Sequence, residues 1–179
     1  MTIREWLEEN VTKDDRALAW LTEGEAEDRI VRAYRELLSG YSIDAATVLK
    51  TTCEVDGDYR GAIRVQDISF SSLCAHHFLP FFGTIDILYV PGPRILGLGK
   101  FPRLVSCFAR RFQIQEHLVR DIAMEVMSSG EARAVRVDSN ARHLCMCARG
   151  PASQNATTET SYLAGDTYLF GQLSPKAHS

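Results

Sequence analysis

The sequence predicts an α+β fold built around an antiparallel sheet, and three observations carry that prediction. Apolar residues recur at spacings of three and four along residues 25–38 (Ile30, Val31, Tyr34, Leu37, Leu38), the stripe of a packed helix. From Ala62 the period changes to two, through Ile63, Val65, Ile68 and Phe70, as in a strand with one face buried. A long helical stripe then precedes further alternating segments. Helices, then strands, then one long helix, then strands is the order of an α+β chain, not of a repeated strand–helix alternation.

The elements follow in sequence. Residues 2–10 predict a short helix with Thr2 as its cap and Trp6 and Leu7 on its apolar edge. A second helix is expected from about Asp14 to Leu21 and a third from Glu25 to Leu38, stopped by Gly40. The strand from Ala62 carries an irregularity near Gln66 and Asp67, where the alternation slips. Pro80 and Gly83 interrupt the pattern, and a strand from Thr84 to Val90 ends at Pro91-Gly92-Pro93, a strong turn signal. A short strand spans Arg94–Leu98. Phe108, Phe112, Gln115, Val119, Ile122 and Val126 predict one helix from Pro102 to Met127, with Pro102 in its first turn. Ala132–Ser139 and His143–Arg149 predict a hairpin turning at Ser139-Asn140-Ala141. Residues from Pro151 onward are polar and threonine-rich. One domain, 1–179, is expected, with N-terminal helices over 1–24 and a mobile tail over 166–179.

Composition narrows the function classes. With 45% hydrophobic and 24% charged residues the chain reads as globular, and a net charge of −3 argues against general nucleic-acid affinity. No apolar run approaches a membrane span, and the charged first ten residues do not read as a secretory signal. Five cysteines, an odd number, favour a reducing, cytoplasmic setting with thiols free or metal-bound. Cys53 and Cys107 fall in no motif and are expected to pack in the interior.

Two stretches carry the candidate chemistry. Cys74 and His77 stand at a C-x-x-H spacing, and His143 and Cys145 stand two apart, on one face if that segment is a strand. Cys74, His77 and Cys145 form a nitrogen-and-sulfur set suited to zinc, and three ligands leave the fourth tetrahedral position open to water. His76 and His143 then remain as imidazoles able to move protons beside it. Spacing alone supports equally a set of buried small hydrophobic cysteines. Cys147, on the same strand face as Cys145, is the alternative fourth ligand that would close the site. Gln115 interrupts the apolar stripe and Glu116 follows it, which suits either a partly exposed polar patch or a pair facing a ligand with donor edges.

Four motifs together resemble the GTP cyclohydrolase I family: Ser72–Gly83 (SLCAHHFLPFFG), Gly97–Arg103 (GLGKFPR), Arg110–Glu116 (RRFQIQE) and His143–Gly150 (HLCMCARG). They occur in the family's order, and Arg29–Tyr41 is similar to its N-terminal helix. The resemblance covers about Arg29 to Gly165. It implies the tunnelling fold, in which each subunit gives an antiparallel sheet and paired helices, and sheets of neighbouring subunits close into a barrel. It implies a homo-oligomer, usually a decamer, with sites at subunit borders. It places zinc on Cys74, His77 and Cys145, proton transfer on His76 and His143, and the guanine edge on Gln115 and Glu116. Lys100, Arg103, Arg149 and Arg29 would hold the triphosphate through charge-assisted contacts. The implied reaction attacks C8 of GTP or a related guanine nucleotide, opens the imidazole ring, releases formate and rearranges the sugar into dihydroneopterin triphosphate.

The chain departs from the family pattern at chosen places. Ala75 stands where the family has Glu, Gly99 where it has Ser, and Asp86 where many members have His. The C-terminal helix usual in the family is not evident after Gly165. Loss of two polar side chains beside an intact ligand and imidazole set implies that ring opening persists while rearrangement is slowed or lost, so that the product is dihydroneopterin triphosphate or a truncated formamido- or diaminopyrimidine nucleotide. A reading from another class is an inactive, ring-forming, nucleotide-binding homologue with a structural zinc.

Overall fold

The computed structural model describes residues 1–21, 24–50, 52–54 and 59–172. The chain forms two compact units, Met1–Leu37 and Leu38–Ser179. The first holds three helices: α1 (Ile3–Asn10), α2 (Asp15–Ala19) and α3 (Ala26–Leu37). Thr2 caps α1 as expected, through a reciprocal box. Its Oγ1 accepts from the Glu5 amide at 3.1 Å, and its own amide donates to Glu5 Oε2 at 2.8 Å. Asp14 caps α2 by accepting from the Arg16 amide at 3.0 Å. The Ile3 amide donates to Glu27 Oε1 at 3.2 Å, which ties α1 to α3. Arg29 lies on α3 and is exposed within this unit.

The second unit begins with a 3₁₀ turn, Ser39–Ser42, and a single helical turn, α4 (Ala45–Val48). β1 (Thr52–Glu54) pairs antiparallel with β4 (Arg94–Leu96). The main sheet holds β2 (Ile63–Cys74), β3 (Pro80–Val90), β5 (Phe112–Gln113), β6 (Ala134–His143) and β7 (Thr158–Gly165) in the order β5-β2-β3-β6-β7. All neighbours are antiparallel except β5, which runs parallel to β2. The irregularity expected near Gln66 and Asp67 is a register shift between Val65 and Ile68, with Asp67 at φ 55°.

Two helices, α5 (Lys100–Ala109) and α6 (Gln115–Ser128), pack on one face of that sheet. Their buried side chains, among them Phe101, Leu104, Leu118 and Ile122, meet Ile85, Ile87, Tyr89 and Val137 from the strands in one core. At about 25 cal/mol per Å² of apolar surface, this burial is the main favourable term holding helices to sheet. An antiparallel sheet carrying a helix pair on one face is the subunit architecture that the resemblance implies. The chain ends its described part with α7 (Leu144–Cys147), which follows β6 directly, and α8 (Tyr168–Gln172). No helix among the described residues is long and apolar enough to cross a membrane.

Several local expectations are corrected. The long helix over Pro102–Met127 is two helices. The chain leaves α5 at Arg110 (ψ 50°), where Arg111 Nε donates to the carbonyls of Gly40 at 3.2 Å and Cys107 at 3.1 Å. Phe112 and Gln113 then pair with Leu73 and Cys74 before the helix restarts. Long-range pairing overrides an apolar spacing that runs straight through the break. Gly83 and Pro80 lie inside β3, so that strand starts at Pro80 and not at Thr84. The expected hairpin over 132–149 is absent: β6 continues to His143, paired with β3 on one side and β7 on the other. β7 itself arises from the polar stretch after Pro151, with Thr158, Thr160, Tyr162 and Ala164 on its inner side. A short C-terminal helix, α8, is present after Gly165. Of the tail expected to be mobile, 166–179, residues 166–172 are described and include α8, and the rest lies outside the described residues. Cys107 is buried as expected, but Cys53 is exposed on β1.

Candidate metal centre and substrate cavity

Cys74 ends β2, and a tight turn brings His77 back beside it. The Phe78 amide donates to the Cys74 carbonyl at 2.9 Å, the His77 amide to the same oxygen at 3.3 Å, and the Cys74 amide to the Leu79 carbonyl at 2.9 Å. Phe78 takes φ 58° to close this turn, and its ring packs on Phe112 with centroids 4.4 Å apart. The Ala75 amide donates to the Gln113 carbonyl at 3.0 Å, so β5 also fastens the start of the turn. C-x-x-H spacing therefore works here as a turn that places both side chains on one side.

Cys145 arrives differently from the expectation. It lies in the first turn of α7 and not on a strand, so shared strand facing does not bring it to the site. The change of direction after His143 does. The ligand atoms of Cys74, His77 and Cys145 all lie within 4.8 Å of one another. An ion with bonds of about 2.0–2.3 Å to nitrogen and sulfur can draw such a set together by small side-chain rotations. Among the described residues Cys147 is not part of the group. Burial, and next the neighbouring Cys74 thiol, push the Cys145 thiol up, while Arg149 pulls it down less strongly. A bound cation would offset this cost of ionising Cys145. The donor set therefore fits a soft divalent metal.

A cavity of about 200 Å³ opens beside this cluster, lined by His76, Glu116, His143 and Met146 among others. His76 Nδ1 lies 3.7 Å from Cys74 Sγ. His143 stacks flat on buried Phe81, with centroids 4.6 Å apart and planes 3° from parallel. Burial lowers the His143 pKa, and the Glu116 carboxylate opposes that shift. Glu116 is exposed at the first turn of α6.

Gln115 lines the same cavity, with its side-chain amide turned into the protein. It is only 2% exposed, and its amide is engaged within the protein. Nε2 donates to the Thr158 carbonyl at 2.9 Å and lies 3.2 Å from both the carbonyl and the hydroxyl of Ser139. Oε1 stands 2.8 Å from His143 Nε2. The polar break in the apolar stripe thus marks an internal link between α6, β6 and β7. Ser139 and Thr158, which complete that link, and Phe81, on which His143 stacks, carried no sequence signal of their own.

Seven expected site residues, Cys74, His76, His77, Gln115, Glu116, His143 and Cys145, come together around this cavity. The expected phosphate cations do not line it. Lys100 and Arg103 sit in the first turn of α5, Arg149 follows α7 and is exposed, and Arg29 belongs to the first unit. A larger hollow of about 400 Å³ lies on the sheet face away from the helices, among Asp67, Asp86, Arg136 and Asp138. It holds none of the candidate ligands. Arg136 there pairs with Asp138 at 2.8 Å.

Residues 2–169 match the family described as GTP cyclohydrolase I. GTP cyclohydrolase 1 of Campylobacter jejuni subsp. doylei is 43% identical over 138 residues, 77% of this chain and 72% of that protein. GTP cyclohydrolase 1 of Pelagibacter ubique is 41% identical over 143 residues, 79% of this chain and 70% of that protein. Among solved structures, an archaeosine synthase QueF-Like in the apo form aligns with a TM-score of 0.49 at 16% identity, over 59% of this chain and 94% of that one.

Proposed function

The chain belongs to the GTP cyclohydrolase I family, and from that premise we propose that it is a hydrolase opening the imidazole ring of GTP at C8 and releasing formate. The observation that carries the proposal is the meeting of Cys74, His77 and Cys145 within 4.8 Å, at a cavity that also holds His143 and Glu116.

Cys74, His77 and Cys145 would hold zinc. When bound, the metal supplies a Lewis acid that brings the pKa of water close to neutrality. The chain's own residues do the rest. Glu116, an exposed carboxylate at the cavity, accepts hydrogen bonds from the donor edge of guanine and selects that base. His143 and His76 exchange protons with the purine nitrogens and with the attacking water as the ring opens. Lys100, Arg103 and Arg149 hold the triphosphate, and the resemblance alone adds Arg29 to them. Because these cations do not line the cavity, we assign part of the phosphate site to a neighbouring copy, in a homo-oligomer whose sheets close into a barrel and remove their open edges.

Gly99 favours a reaction that stops early. Its backbone is ordinary for any residue, at φ −66° and ψ −9°, and nothing lies within 4 Å of where a Cβ would stand. Neither conformation nor space asks for glycine there, so the missing hydroxyl points to changed chemistry. With the Ala75 side chain also nonpolar, rearrangement to the pterin is slowed or lost, and a ring-opened pyrimidine nucleotide accumulates beside any dihydroneopterin triphosphate formed.

Zinc-loaded protein incubated with GTP tests both levels. Formate release with a pyrimidine nucleotide by mass spectrometry is the expected result. Absence of formate would overturn the activity, and stoichiometric dihydroneopterin triphosphate would overturn the early stop.

A further inference from the structure

We propose that Gln115 is a positioning residue that holds His143 in the tautomer protonated on Nε2, leaving Nδ1 as the nitrogen that exchanges protons with the substrate. The inference rests on the reading of His143 as a proton-transfer residue.

The argument is one of donors and acceptors. The amide of Gln115 faces two backbone carbonyls, those of Ser139 and Thr158, at 3.2 and 2.9 Å. A carbonyl can only accept, so the end of the amide directed at them must be the nitrogen. The third neighbour, the Ser139 hydroxyl, adapts by rotation and leaves that choice unchanged. Gln115 therefore has one orientation, with Oε1 directed at His143 Nε2, 2.8 Å away. Oε1 has no hydrogen. At that distance the proton between them must sit on the imidazole, and Nε2–H donates.

Two features keep the arrangement from relaxing. Gln115 is 2% exposed, so water does not compete for its oxygen. The His143 ring lies flat on Phe81, which restricts it to its own plane or a half-turn. A half-turn would bring a ring carbon to Oε1 and forfeit the hydrogen bond in a buried place. The neutral ring is thus confined to one tautomer, and its lone pair is on Nδ1. A proton-transfer imidazole whose tautomer is fixed beforehand needs no rearrangement at the moment of reaction.

The tautomer can be read directly. The zinc-loaded protein, labelled with nitrogen-15 in its histidines, is examined at about pH 8, above the ordinary histidine range. His143 signals are assigned by their loss in His143→Gln. A protonated Nε2 and a bare Nδ1 are expected, and a protonated Nδ1 would overturn the proposal without need of any Gln115 variant. In Gln115→Met, which preserves bulk and removes the acceptor, the two tautomers should mix. Its kcat should fall about tenfold or more, a fraction of what acid–base catalysis contributes, with KM for GTP nearly unchanged. A raised KM with kcat retained would identify Gln115 as a guanine contact and overturn the proposal, as would kcat and KM both unchanged. Because the tautomer is read without turnover, failure of formate release would refute the enzymatic reading and leave this assignment standing.

Discussion

Gly83 and Ala141 oppose each other across β3 and β6 at backbone contact: a Cβ on Gly83 would meet Ala141 Cα at 2.7 Å and strike the carbonyl oxygen of Asn140. Backbone on both sides cannot move without breaking the ladder that carries His143. Gly83→Ala should cost about 1–3 kcal/mol, and each kcal/mol lowers Tm by about 2–4 °C at this chain length. Gly99→Ala, into open space at an ordinary φ, should leave Tm unchanged or slightly raised. Calorimetry on the two variants side by side checks the contrast.

Cys74→Ala and Cys145→Ala should each lose metal and turnover together, because two remaining ligands hold an ion poorly. Metal content and formate release measured on one preparation make the comparison. Zinc at a hundred times its dissociation constant should raise wild-type stability by about 2.7 kcal/mol, and neither variant should show that gain.

His143→Ala should keep its metal and lose about 10²- to 10⁴-fold in kcat, the usual share of a proton-transfer group. Loss of metal together with activity would instead make His143 part of the ligand set.

Much of the site was legible because its pieces are local. Cys74 and His77 sit in one turn, and Gln115 and Glu116 announce themselves as polar residues in an apolar stripe. The bulge at Asp67 shows as a slip in alternation. What was illegible is what distant segments impose. No residue between Phe108 and Val119 is a helix breaker, yet Phe112 and Gln113 leave the helix to pair with Leu73 and Cys74, some 39 positions earlier. Cys145 reaches the cluster from a helical turn because β6 runs on to His143, where it still pairs with Phe81 of β3. β7 is polar enough to read as loop, since only alternate residues face inward.

Glu116→Ala should weaken discrimination between guanine and hypoxanthine nucleotides. Wild type should prefer GTP to inosine triphosphate, which lacks the 2-amino donor, and the variant should treat them nearly alike, raising KM for GTP by about tenfold or more. Equal preference in wild type would remove Glu116 from the guanine edge.

Ala75→Glu combined with Gly99→Ser should increase the fraction of dihydroneopterin triphosphate among the products, with formate release unchanged. Gly99 has room for the hydroxyl, and residue 75 is exposed, so neither change should disturb folding. An unaltered product ratio by mass spectrometry would remove these two positions from control of the later steps.

The two-residue strand β5 has a consequence for how the molecule breathes. It fastens the end of β2 to the start of α6, with the Ala75 amide held by Gln113. A fluctuation that peels Cys74 from the sheet edge must therefore also loosen the entrance of α6, where Gln115 and Glu116 begin. Thiol, amide and carboxylate share one clasp, and amide hydrogen exchange should find them unfastening as a single cooperative unit.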